Sequence, residues 1–315
     1  MRKTFFILTL HLTILAQAQM EFSASEDQIL TQKYQSYIKS GRKCQAVNAG
    51  PRVILTGFGL FEGVSFNISG AIISNLASQD FWPDLTEAST TQTVSSTLLS
   101  LDRGILNNSE NGFRIYNRSL WIDHKQVSAC LILLDVEWDI SAAILIHEMI
   151  EFQPQVVVMT GLNGTDQAEL EAAAVNESNR EPGFFSNGKP DSLNTPLVPF
   201  VNPQVNSPPQ ISMNWDQTKI AANIQPLLED LQVSLSTPSG PAASNDYICN
   251  DISFIALEAL KNQPLHLADG GIELYPNFVK PPKIGFFHYP VNARFDSQEL
   301  FTWSRVLLTI TAQGL

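Results

Sequence analysis

Three side chains of this sequence could carry out acyl transfer together: Glu171 in Glu171-Ala-Ala-Ala-Val-Asn176, Cys249 in Asp246-Tyr-Ile-Cys249-Asn250, and His288 in Gly285-Phe-Phe-His288-Tyr-Pro290. A thiolate attacks a carbonyl carbon, an imidazole carries the proton to the leaving amine, and a carboxylate holds the ring in one tautomer and steadies its positive charge. Taken singly, each residue has a plainer role. Cys249 would be a buried structural thiol and His288 a hydrogen-bonding residue at the end of an apolar run. Glu171 would be a solvated charge in the helix-favouring stretch Ala168 to Val175, where Glu169 competes with it. His124, His147 and His266 show no metal-ligand spacing among themselves or with carboxylates and cysteines, so neither a metal nor another cofactor is expected.

The elements that must position these residues alternate in type. Val53 to Thr56, Leu131 to Leu134, Val156 to Met159 and Lys283 to Tyr289 read as strands. Helical spacing covers Ser69 to Gln79, Ser141 to Phe152, Asp216 to Leu231, Cys249 to Leu260 and Gln298 to Thr311. Strand-helix alternation of this kind implies an α/β fold: a three-layer α/β/α sandwich around a largely parallel, twisted mixed sheet. Cys249 then opens a helix, where the dipole and the free N–H groups favour a thiolate and can hold an oxyanion. His288 emerges where a buried strand gives way to a turn, a frequent place for reactive side chains. Phe58 and Phe61 follow the first strand among Gly57, Gly59 and Gly63, where exposed rings would make a flat apolar pocket and buried ones ordinary core.

Four blocks of the chain, in order, resemble the pyroglutamyl peptidase I (pyrrolidone-carboxylate peptidase) family. Thr56-Gly-Phe-Gly-Leu-Phe-Glu-Gly-Val-Ser-Phe-Asn-Ile-Ser69 is similar to that family's opening motif, with Phe58, Phe61, Asn67 and Ser69 matching and Ile68 in place of proline. Pro154-Gln-Val-Val-Val-Met-Thr-Gly161 resembles the strand entering the glutamate loop; Glu171 stands five residues before Asn176, and Arg180 follows. Tyr247-Ile-Cys-Asn250 and Gly285-Phe-Phe-His288-Tyr-Pro290 complete the set. The resemblance implies a Cys249–His288–Glu171 triad and a peptide substrate blocked at its N-terminus by pyroglutamate. It also implies a lactam pocket formed by Phe58, Phe61, Tyr247 and Ile248, with Asn67 bonding backbone groups beside it and Arg180 supporting the oxyanion or its loop. Two departures stand out. Gly161-Leu-Asn-Gly-Thr-Asp166 replaces Gly-Gln-Ala-Gly-Gly-Arg, and Thr237 to Asn245 replaces a Thr-Ala-Gly run. They keep two other readings open: a non-catalytic binding protein on the same scaffold, and an amidase for another blocked N-terminus.

The rest of the chain sets the context. Arg2 and Lys3, the apolar run Thr4 to Ile14 and Ala16-Gln-Ala18 read as a secretory signal peptide cleaved near Ala18, too short to span a membrane. Its removal takes away Arg2 and Lys3 but no acidic residue, deepening the formal charge from -12 to -14, and so acidic a surface repels nucleic acid. Export implies an oxidising compartment, and with Cys249 assigned as the nucleophile, Cys44 and Cys130 are the candidate disulfide pair; Cys130 could equally be buried as a small hydrophobe. Residues 19–50 form an N-terminal extension, read as an arm packed on the surface, and residues 51–315 a single catalytic domain. Ten of the 18 prolines fall between residues 182 and 245, and the periodic pattern stops over about 182–213, which reads as a long loop insertion. Nothing in the sequence decides the oligomeric state.

Overall fold

The computed structural model describes residues 28–59, 67–78, 81–82, 84–86, 113–176, 210–240, 248–267, 271–293 and 297–315. The leader 1–18, Phe61, Arg180, Tyr247 and most of the 182–213 insertion lie outside them. Among the described residues no helix is long and apolar enough to cross a membrane.

The chain enters through a helix, α1, over residues 28–39. Then come β1 (Arg52–Phe58), α2 (Ile68–Ala77), β2 (Phe81–Trp82), β3 (Arg114–Ile122), β4 (Lys125–Leu134), α3 (Ile140–Phe152) and β5 (Val156–Leu162). Short strands β6 (Ala168–Leu170), β7 (Ala173–Val175) and β8 (Gln210–Ser212) lead to α4 (Gln217–Asp230) and β9 (Leu235–Ser236). The chain closes with α5 (Ile248–Ala259), the pair β10 (Leu265–Leu267) and β11 (Ile272–Leu274), β12 (Lys283–Tyr289) and α6 (Ser297–Gly314). Eight strands form one sheet in the order β2-β3-β4-β1-β5-β12-β6-β9. Its centre, β4-β1-β5-β12, is parallel, while β3 and β6 pair antiparallel with β4 and β12.

Side chains alternate across this sheet, so one strand feeds two cores. On one face Ile54, Phe58, Cys130, Ile132, Val157, Met159, Ile284 and Phe286 pack with α3 and α5. On the other, Val53, Leu55, Ala129, Leu131, Val158, Phe287 and Tyr289 pack with α2, α4 and α6. The molecule is therefore the mixed, mostly parallel α/β/α sandwich expected.

The structure revises three local expectations. Ala168 to Val175 is not helical: β6 pairs with β12 and β7 with β8, and these ladders override the helix preference of alanine. The 182–213 insertion ends earlier than its composition suggests, because Gln210–Ser212 is β8. The arm is more than a surface strap, since Leu30, Tyr37 and Cys44 enter the α3/α5 core. Cys44 is bonded to Cys130 in β4 across a separation of 86 residues. Closing a loop of that length stabilises a fold by about 4–5 kcal/mol in the chain-entropy account. The carboxylate of Glu148 in α3 accepts the Tyr37 hydroxyl on one oxygen and the Cys44 N–H at 2.5 Å on the other. Lys33 pairs with Glu137, just beyond β4.

Candidate active site

The parallel strands β4, β1, β5 and β12 run to one common C-terminal edge of the sheet, the edge at which open α/β folds bind ligands. Phe58 ends β1, Gly161 lies near the end of β5, and His288 is the penultimate residue of β12, paired in register with Gly161. Above them α5 begins at Ile248, so Cys249 is its second residue, in the turn whose N–H groups have no partner within the helix. Its thiol is free and buried. Gly161 is what makes room for it, because a Cβ there would stand 2.7 Å from the Cys249 sulfur.

His288 is 8 % exposed and Glu171 1 %. His288 Nδ1 lies 2.9 Å from Glu171 Oε1. The ring also hydrogen-bonds the Cys249 side chain, and with Nδ1 turned to the carboxylate, Nε2 is the nitrogen left for the thiol. Burial is the largest single influence on this imidazole and disfavours its charged form, but the negative charge and hydrogen bond of Cys249, joined by those of Glu171, outweigh it and raise the ring to about 10. The ring is thus held between a buried thiol and a buried carboxylate, the geometry in which an imidazole can activate a cysteine.

The antiparallel ladder explains the choice of carboxylate. Glu169 is directly opposite His288, and the Glu171 N–H donates to Phe286 O one ladder step further on. Both glutamates therefore emerge on the His288 face, one opposite and one diagonal. Glu169 is turned towards Ser236, with burial first and Glu171 second raising its carboxyl above the ordinary range. Glu171, in the two-residue gap between β6 and β7, is the one at the ring.

Phe58 is not an exposed ring. At 2 % exposure it is part of the buried core on the α3/α5 face, the ordinary packing role that its position also allowed. Asn67 Nδ2 donates to Gly59 O, and its Oδ1 accepts the N–H and hydroxyl of Ser69. It thereby caps α2, a role worth about 1 kcal/mol, and ties that helix to the end of β1.

Several supporting residues were missed in the sequence. The Asn250 carboxamide grips Val175 on both backbone groups, accepting its N–H at 2.8 Å and donating to its C=O at 2.9 Å, which fastens the strand after Glu171 to the helix of Cys249. Asp251 accepts the N–H of Asp139, a non-glycine residue at φ 56° after β4, and so ties the 135–139 loop to α5. The Trp215 indole N–H donates to the Glu171 carbonyl at 3.3 Å. Asn250 sits in the Cys249 block; Trp215 carries no local signal at all. Among the described residues, no three His, Cys, Asp or Glu side chains converge to hold a metal ion.

No protein-family model and no curated protein sequence matches this chain. Solved structures do. A point variant of the pyrrolidone carboxyl peptidase of Pyrococcus furiosus aligns with a TM-score of 0.50 at 13% identity, covering 84% of this chain and 100% of that one. Pyroglutamyl Peptidase I of Bacillus amyloliquefaciens aligns at 0.46 and 14% identity, covering 84% and 96%. At such identities the likeness is one of fold: the chain adopts the α/β/α sandwich of the Pyrococcus protein.

Proposed function

We propose that this protein is an exported cysteine peptidase that removes N-terminal pyroglutamate from peptides, a divergent member of the pyroglutamyl peptidase family. One observation carries the reading: His288 stands between a free thiol at a helix N-terminus and a buried carboxylate 2.9 Å from its Nδ1. The four ordered sequence blocks support the substrate class, and the Cys44–Cys130 bridge supports passage through an oxidising compartment.

Cys249 Sγ, as thiolate, bonds to the pyroglutamyl carbonyl carbon, and the carbonyl π electrons move onto oxygen. The N–H groups opening α5 receive that oxyanion. The intermediate collapses as the C–N bond breaks, His288 gives its proton to the departing amine, and a thioester remains on Cys249. Water then attacks the thioester while the neutral ring of His288 takes its proton. Pyroglutamate leaves and the thiolate–imidazolium pair is restored. Glu171 stays ionised throughout and orients the ring. A lactam has no cationic amine to be recognised, which suits a pocket without a charged group to receive one. Arg180, Phe61 and Tyr247 join this proposal as the oxyanion support and the remaining pocket rings.

The test is hydrolysis of a fluorogenic pyroglutamyl amide by the mature protein, against a Cys249→Ala control, from about pH 6 to about pH 9. Turnover by the wild type alone supports the reading. No difference from the control, together with iodoacetamide alkylation of Cys249 only around the ordinary thiol range near pH 8.5, makes the protein a binding module on this scaffold. Absence of turnover with rapid alkylation well below that range points to an amidase for another blocked N-terminus.

A further inference from the structure

Glu171 lies in an irregular gap, between strands of three residues each, with no helix or long ladder to hold it. Its neighbours compensate. The Glu171 N–H donates to Phe286 O, and Met213 N–H donates to Ala172 O at 2.8 Å. Gln217 Nε2 donates to Leu170 O at 2.7 Å, and Trp215 Nε1 to Glu171 O. Residues 213–217 thus satisfy three consecutive carbonyls around the carboxylate. The same segment is fastened to β12, where Asn214 Nδ2 donates to Pro282 O at 2.9 Å and Asn214 Oδ1 accepts the Ile284 N–H at 2.5 Å.

The close approach at Gly285 decides which of these residues matters most. A Cβ on Gly285 would lie 1.8 Å from Trp215 Cε3 and 2.1 Å from Cδ2 and Cζ3, so the indole rests directly on the backbone of β12, three residues before His288. Only glycine permits this contact. One rigid ring touches the strand that bears the imidazole and the peptide that bears the carboxylate.

We propose that Trp215 is a positioning residue for the triad: seated on Gly285 and donating to the Glu171 carbonyl, it sets the distance between Glu171 and His288. The proposal rests on the peptidase reading for its kinetic consequence, but not for its structural one. Trp215 acts through Glu171, whose carbonyl it holds.

Two variants approach it from opposite sides. Trp215→Phe keeps an aromatic ring for Gly285 and removes the N–H; Gly285→Ala keeps the N–H and drives the ring off its seat. Each is expected to lower kcat about three- to tenfold, the worth of one neutral hydrogen bond, with KM within about twofold. Each is also expected to lower the titration midpoint of the His288 ring, followed by NMR, because the carboxylate that stabilises the imidazolium is less firmly held. Thermal unfolding supplies the structural control. Loss of thermal stability with an unchanged His288 titration would make Trp215 ordinary packing and overturn the proposal, as would unaltered titration and kcat in Trp215→Phe. If the wild type hydrolyses no pyroglutamyl amide while both variants shift the His288 titration, the peptidase reading fails and the positioning role stands.

Discussion

Glu148 and Glu171 are both buried glutamates beside a cysteine on the α3/α5 side of the sheet, and they differ in what faces them. Glu148 meets the Tyr37 hydroxyl and the Cys44 amide, and the Cys44 sulfur is bonded to Cys130. Glu171 meets an imidazole, and the sulfur beyond that ring is free. Burial pushes the Glu148 carboxyl up, while the Tyr37 hydroxyl, the Cys44 N–H and the His147 ring 4.0 Å away pull it down; the two groups that hydrogen-bond it keep their protons at neutral pH. The first constellation is a clamp holding the N-terminal arm to α3 and β4. The second can move a proton. Burial and residue type are shared, so the proposed reactive site is set apart by an imidazole at 2.9 Å rather than 4.0 Å and by an unbonded sulfur.

Substitutions should separate the two constellations sharply. Cys249→Ala or His288→Ala should abolish turnover of a pyroglutamyl amide, by at least about 10⁴-fold. Glu171→Gln should lower kcat by about 10² to 10⁴-fold with KM nearly unchanged, as for other orienting carboxylates. Glu169→Gln, turned to Ser236, should be almost silent. The reverse result for these two glutamates would move the orienting role to Glu169.

The clamp should respond in stability instead. Cys44→Ser should cost about 2–5 kcal/mol, read in denaturant unfolding, while kcat of the folded protein holds. Glu148→Ala leaves the Tyr37 hydroxyl and the Cys44 N–H without their acceptor, at about 1–3 kcal/mol each. A kcat loss matching that of Glu171→Gln would erase the distinction between the two glutamates.

The smallest effect is a titration. The folded chain holds the His288 proton up to about 10, whereas an unfolded histidine releases it near 6.5. A raised folded value means that this ring's contribution to stability is complete below pH 6.5 and is lost as pH climbs through about 10. NMR should place the midpoint near that upper value in the wild type, and lower in Cys249→Ala, where the opposing charge is gone. An identical midpoint in both proteins would mean that the thiol carries no charge at neutral pH.

Much of this was legible because local pattern and tertiary demand agreed. The run Lys283 to Tyr289 was readable as a strand, since a strand buried on both faces must be continuously apolar. Cys249 was readable as the opening of a helix because α5 follows helical spacing. The β3–β4 hairpin escaped detection: its turn uses Asp123 and His124 at φ 50° and 60° where glycine or asparagine would have announced it. The alanines of 168–175 pointed to a helix because strand pairing is a property of β12 and β8, which lie far along the chain.

The sequence by itself determined the alternation of strands and helices, and with it the layered architecture, because burial on two faces dictates which residues must be apolar. It also determined the three chemical types that acyl transfer requires. Only the tertiary structure decided which sulfurs join, which glutamate meets His288, and that a glycine at 161 and a tryptophan at 215 are needed to seat them. Those outcomes depend on strand register and on side chains far apart in sequence approaching within a few ångströms. No local pattern encodes a distance of that kind.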